Sequence, residues 1–228
     1  MKTKSFLKTL LTGTAILTLG VFISSCKKND VDENGSARLK IVNASTSSSP
    51  QSFYLAGQAV VSGGLDFGES SDYISTNSGN RLESQFRNEG STTAYATGNF
   101  DYNSNNTYSV FVAGDGQAAR VKVYGDDLTA PAAGQAKVRF IHLSDAAPAN
   151  VDIRKASGDN LAANVARDGA TNFVAIAPGI LSLQVFGAGQ STSLGTFNLS
   201  AFAEGKIYTV YITGSTTGTI AVRQITHN

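Results

Sequence analysis

The sequence predicts an all-β protein: two tandem antiparallel β-sandwiches behind an export signal and a short tether. Three observations carry that expectation. Charged residues make up only 15% of the 228-residue chain, against roughly 25% in an average globular protein. Abundant Gly, Thr, Val and Tyr suit short strands and tight turns better than long salt-bridged helices. Apolar and polar residues alternate at period two in segment after segment, and the whole pattern is written twice.

The first element is the export signal. Lys2, Lys4 and Lys8 give a positive start, and Leu10 to Ile23 is largely apolar. That run is too short and too interrupted for a membrane span. It closes on Ile23-Ser24-Ser25-Cys26. An aliphatic residue three before a Cys, with small residues between, resembles the lipobox of bacterial lipoproteins. The resemblance implies a diacylglyceryl group on the Cys26 thiol, removal of residues 1–25 and acylation of the new amino terminus. The membrane would then be a partner through those chains, each buried methylene adding about 0.8 kcal/mol. Cys26 is the only Cys, which excludes a disulfide scaffold.

Residues 1–25 carry three Lys and no acid, so the chain beyond them has 15 bases against 17 acids. The net charge of +1 thus belongs to the signal, and no nucleic-acid partner is implied. Residues 26–36 are polar and read as the lipidated Cys and a flexible tether. Lys27 is not the Asp of inner-membrane retention. The run Cys26-Lys27-Lys28-Asn29-Asp30 with its following acids looks like lipoproteins of the Bacteroidota. That likeness implies anchoring to the outer membrane, with display on the cell surface.

The remainder divides by self-comparison. Arg38-Leu39-Lys40-Ile41-Val42-Asn43 matches Lys137-Val138-Arg139-Phe140-Ile141-His142 at offset 99. Tyr73-Ile74, Gly79 and Phe86 match Phe173-Val174, Gly179 and Phe186 at offset 100, as Tyr108 to Gly114 match Tyr208 to Gly214. Val121-Lys122-Val123 matches Ile220-Ala221-Val222 at 99. Two domains are expected, 37–125 and 136–228, each folding separately. The acids, Pro131 and small residues of 126–135 read as the linker.

Within the second copy Val138, Phe140 and His142 share one face, as do Val151 and Ile153, Leu181, Leu183 and Val185, and Tyr208, Val210 and Ile212. Each set reads as a strand half-covered by a core. Turn signals such as Ala147-Pro148, Asp168-Gly169, Pro178-Gly179 and Thr213-Gly214 separate them, which suits two packed sheets per copy. Leu161 to Ala166 is the single helical candidate. One strand conflicts with the straight offset. Arg81, Glu83 and Gln85 fall opposite Leu181, Leu183 and Val185, and burying the charges unpaired would cost several kcal/mol each. The first copy is therefore expected to absorb one residue near Asn77 to Asn80, with Leu82 and Phe86 inward and Arg81 and Glu83 outward.

The run Lys137 to Pro148, followed by Val151-Asp152-Ile153, resembles the opening of the domain-of-unknown-function family 4397. Its pattern is a basic-apolar strand ending in His, then Ser-Pro-Asp-Ala-Pro, then apolar-Asp-apolar. Phe173 with Pro178-Gly179, and Tyr208-Thr209-Val210, resemble its later motifs, so the likeness spans 136 to about 220. It departs at Asp145-Ala146, where the family usually has Pro-Asp. In the first copy Asn43 stands for His142 and Tyr54 falls near Asp152, so the second copy is the clearer match. The resemblance implies an immunoglobulin-like sandwich in an exported bacterial protein, and no chemistry.

Two His are present, His142 and His227. His142 lies in phase with Val138 and Phe140 and reads as a buried, hydrogen-bonded imidazole. His227, next to last, is expected to fray. His142, Ser144, Asp145 and Asp152 lie within eleven residues, but no oxyanion hole or metal-ligand spacing accompanies them. Asp126-Asp127 and Asp115-Gly116 read as solvated loop acids ahead of weak calcium sites. Tyr95, Phe100 and Tyr102 are the surface-aromatic candidates for sugar. No catalytic, metal or cofactor residue is assigned. The expected function is a non-catalytic binding or scaffolding module for a glycan, an envelope protein or the matrix. The alternatives are a hydrolase or metal-dependent enzyme using the His142 region, and a structural spacer.

Overall fold

The computed structural model describes residues 29–228; the signal and Cys26 lie outside them. More than half of the described residues lie in strands, and the one helical element among them is a short 3-10 turn at Gly116–Ala118. The first half contains β1 (Asp30–Asn43), β2 (Gln51–Leu55), β3 (Gln58–Leu65), β4 (Ile74–Asn88), β5 (Ala96–Tyr102), β6 (Thr107–Ala113) and β7 (Arg120–Gly125). The second contains β8 (Ala136–His142), β9 (Asn150–Lys155), β10 (Asn160–Ala166), β11 (Val174–Ile176), β12 (Ser182–Gly187), β13 (Ser193–Asn198), β14 (Ile207–Thr213) and β15 (Ala221–Thr226). The all-β sandwich expected from the sequence is present. Leu161 to Ala166 is not helical but falls in β10, antiparallel to β9. Val165 there packs into the core, and burial overrides a weak local helix preference.

In the second half β11-β8-β14-β15 form one layer and β10-β9-β12-β13 the other. The first half pairs its strands in the same way, but β4 runs through both layers: its start pairs with β1 and its end with β2 and β5. Pro178 explains the difference. It stands where the first half has Ser78 and lacks an N–H for the ladder, so β11 and β12 are separate strands. The pairing is antiparallel except at one place in each half, where β1 runs parallel to β6 and β8 parallel to β14.

The register conflict is resolved by a bulge. Phe53 faces Phe86 in the first half and Ile153 faces Val185 in the second, so Phe86 corresponds to Val185 at offset 99. Ile74 and Val174, which face Leu39 and Val138, remain at offset 100. The extra residue is taken up between Gly79 and Leu82, where Arg81 adopts φ +54°. Leu82 and Phe86 are buried and Arg81 is exposed, with Glu83 partly so, as the alternation requires.

Three cores result. Leu39, Ile41, Phe53, Leu82, Phe86 and Val110 fill the first sandwich. Val138, Phe140, Ile153, Leu183, Val185 and Val210 fill the second. Val42, Ala44, Phe111, Ile141, Leu143 and Tyr211 form a third, between the halves. Neighbouring residues Ile41 and Val42 point into different cores because a strand alternates its faces. The sandwiches therefore stack back to back, and every residue of β8 and of β14 is buried. These strands are not half-covered as expected. The outer face that period two leaves open is closed by the other half.

Two further expectations change. Asp30–Asp32 are not tether but pair with Asn80–Ser78 of β4; backbone hydrogen bonds need no apolar side chains. Asp126, first residue of the 126–135 connection, has a fully buried side chain, so that segment is pinned at its start.

Candidate functional site

Cys26 lies outside the described residues. The His142 cluster does not converge. His142 is fully buried at the end of β8. Its Nδ1 accepts from the Ser144 N–H at 3.3 Å and its Nε2 donates to the Pro148 carbonyl at 2.9 Å. Burial holds its pKa below the ordinary value. Asp145 instead pairs with Arg120 at 2.8 Å. Asp152 accepts from the Asn164 and Gly189 N–H groups, which lower its pKa. The Ser144 hydroxyl oxygen accepts from Ala146 and Ala147. Each polar group is held by partners of its own, away from the others.

The other candidates are likewise committed. Tyr102 is fully buried with its hydroxyl on Ser84. Phe100 packs on the first core, and the Tyr95 hydroxyl binds Ser45 and the Gly116 N–H. They form no exposed platform. Asp115 accepts from Ser45, Thr46 and Ser47. Asp127 is held near pKa 2 by the Thr129 hydroxyl and by Lys137. No group of three or more His, Cys, Asp or Glu that could hold a metal ion occurs among the described residues.

A polar cluster that sequence reasoning missed lies between the halves. Arg139 pairs with Asp126 at 2.5 Å. Arg139 Nε reaches Thr209 Oγ1 at 2.8 Å, Thr209 Oγ1 lies 2.7 Å from His227 Nε2, and His227 Nδ1 lies 2.6 Å from the Tyr73 hydroxyl. Tyr73 donates to Asp126 at 2.7 Å, and Ser109 adds a further donor. One proton assignment satisfies every group: Arg139 donates to Thr209, Thr209 to His227, His227 to Tyr73, and Tyr73 to Asp126. The ring closes through Arg139. His227 is thus not frayed but buried, because Tyr73, 154 residues away, and Thr209 supply its partners. Burial first, then Arg139, Lys40 and Lys137, push its pKa down to about 3. Burial raises the Asp126 pKa against the pull of Arg139. Neutral His227 with a fully buried Thr209 gives a closed structural ring, since no substrate atom can approach the hydroxyl.

One concave apolar feature remains open. A cleft of about 430 Å³ sits in the first half, beside the amino-terminal end of β1. Leu55 and Leu82, both buried, form its floor; Val60 and Ile74 its sides; Val31 and Glu33 its mouth. Its volume lies in the range of small-ligand sites.

The model of a domain of unknown function, DUF4397, matches residues 37–154. The match covers the first half and the opening strands of the second, including Lys137 to Pro148 and Val151-Asp152-Ile153 from which the likeness was first read, and it stops before the later motifs at Phe173 to Gly179 and Tyr208 to Val210. No curated protein matches the chain. Among solved structures, the Bacillus anthracis TIE protein is 12% identical with a TM-score of 0.25; the match covers 81% of this chain and 34% of that one. The family 26 carbohydrate-binding module from Eubacterium rectale Amy13K, solved with maltoheptaose, is 9% identical with a TM-score of 0.28, over 82% of this chain and 95% of that one. The chain spans about a third of the length of the TIE protein, and nothing about ligand or partner follows from either likeness.

Proposed function

The chain belongs to the DUF4397 family, and from that premise we propose that it is a lipid-anchored protein of the bacterial envelope acting as a non-catalytic binding or scaffolding module. Acyl chains on Cys26 hold it to the outer membrane after residues 1–25 are removed. Domains 37–125 and 136–228 are the two copies of one sandwich, joined by 126–135. The observation that carries the non-catalytic reading is the commitment of both imidazoles. His142 is spanned by Ser144 and Pro148, and His227 sits in a closed ring at a pKa near 3. Neither is free to act as a general base near neutral pH. The first-half cleft is left open for a ligand.

Mass spectrometry of the membrane fraction tests the anchor. An acylated Cys26 amino terminus is expected, and Cys26→Ala should lose it. A mature chain in that fraction without acylation would overturn the anchored reading. Hydrolytic activity lost in a folded His142→Asn variant would overturn the non-catalytic one.

A further inference from the structure

We propose that the cleft at the amino-terminal end of β1 binds an aliphatic chain carrying a cationic head group. This deepens the reading of the protein as a binding module by naming what the module takes. The chemistry of the lining selects the ligand. Leu55, Leu82, Val60, Ile74 and the small Ala56 and Ala59 make an aliphatic trough with no aromatic ring among the lining residues. A sugar or a planar ring would find no face to stack on. Alkyl carbon is the group this surface removes from water. The polar lining residues Gln58, Ser75, Thr76 and Asn77 are neutral, and among the described residues Glu33 is the one charged residue that lines the cleft. A carboxylate with no cation beside it among the described lining residues favours an ammonium group at the mouth and disfavours an acid.

The first half alone is built for this. Asp30–Asp32 lie along Ser78–Asn80 and bring Val31 and Glu33 to the mouth. Gly79 permits the approach: a Cβ there would fall 2.3 Å from the Asp30 carbonyl oxygen. At Gly179, its counterpart, a Cβ would meet nothing within 4 Å. Ile180 is 81% exposed. Lys155, facing Leu183, takes the place of Leu55, which faces Ser84. The second half thus has a cation where the first has part of the apolar floor.

The test is titration of the chain from residue 27 onward, which contains every described residue, with decylamine, decanol and decanoate below their micellar concentrations. Calorimetry and amide NMR shifts are the readouts. Saturable one-to-one binding is expected, with shifts at Val31, Ala59, Val60 and Ile74. Each methylene added between octyl and decyl should tighten binding about three- to four-fold. Decylamine should bind a few-fold tighter than decanol, and decanol tighter than decanoate, a modest preference because Glu33 is exposed. Glu33→Gln should abolish the preference for the amine over the alcohol. Ala59→Phe, at an exposed position, should fill the trough and weaken all three at least ten-fold. Absence of saturable binding, shifts confined elsewhere, or an unchanged affinity in Ala59→Phe would overturn the site. Decanoate binding tightest would overturn the head-group assignment. Either result is distinguishable from failure of the anchored reading, which rests on the mass of the Cys26 terminus.

Discussion

His142 and Asn43 end corresponding strands and make the same two kinds of hydrogen bond. Asn43 Oδ1 accepts from the N–H two residues on, Ser45, at 3.0 Å, as His142 Nδ1 accepts from Ser144. Asn43 Nδ2 donates to the Leu65 carbonyl at 2.9 Å, as His142 Nε2 donates to that of Pro148. An acceptor and a donor on one short, buried side chain are what this turn requires, and proton transfer is not. His142→Asn should therefore fold and cost at most about 1 kcal/mol, whereas His142→Leu, leaving both backbone groups unpaired, should cost about 2–4 kcal/mol. Urea unfolding checks both. A larger loss in the Asn variant would contradict the equivalence.

Asp126→Leu leaves the Arg139 guanidinium buried without its carboxylate. A loss of about 3–5 kcal/mol is expected. Arg139→Met combined with Asp126→Leu should recover a good part of it, since two apolar groups leave no charge to solvate. The coupling is read from a double-mutant cycle by chemical denaturation.

His227 gives the interface a pH dependence. Its folded pKa, about 3, lies below the unfolded value near 6.5. The unfolded chain thus binds the proton first, and stability held above pH 6.5 is lost as pH falls toward 3, at up to about 1.4 kcal/mol per pH unit. The raised Asp126 pKa works in the opposite sense over its own range. His227→Gln removes only the His titration. The stability difference between wild type and His227→Gln should therefore shrink as pH falls from 6.5, measured by denaturation at each pH.

Separating the halves should uncover the third core. A fragment of residues 136–228 would expose Ile141, Leu143, Tyr211 and Ile225, together with Arg139 stripped of Asp126. Self-association and a lower unfolding midpoint than the full chain are expected, by sedimentation and thermal unfolding. A monomeric fragment as stable as the whole would restore the independent folding that the polar connection suggested.

The bulge at Gly79 to Leu82 holds Arg81 at φ +54°, where a Cβ is disfavoured. Arg81→Gly keeps the backbone N–H that donates to Asp101. It should be neutral to stabilising by about 0.5–1 kcal/mol, seen as an unchanged or raised midpoint.

Local pattern was enough for much of this protein. Period two placed the strands, self-comparison aligned their order, and the cost of burying Arg81 and Glu83 located the extra residue before any register was known. His142 was legible as structural because Asn43 stands in its place. The back-to-back stacking was not, since alternation marks two faces without saying what covers the second. Val42, Phe111, Ile141 and Tyr211 on the outer faces were its trace. Asp126 with Arg139, and His227 with Tyr73, carry no local signal: residues far apart in the chain meet only when the sheets pack. The cleft likewise exists because Asp30–Asp32, polar in sequence, find a free edge on β4 beside Gly79. Sequence by itself determined which residues alternate and repeat; tertiary packing decided which polar groups lose their water and which apolar surface keeps an opening.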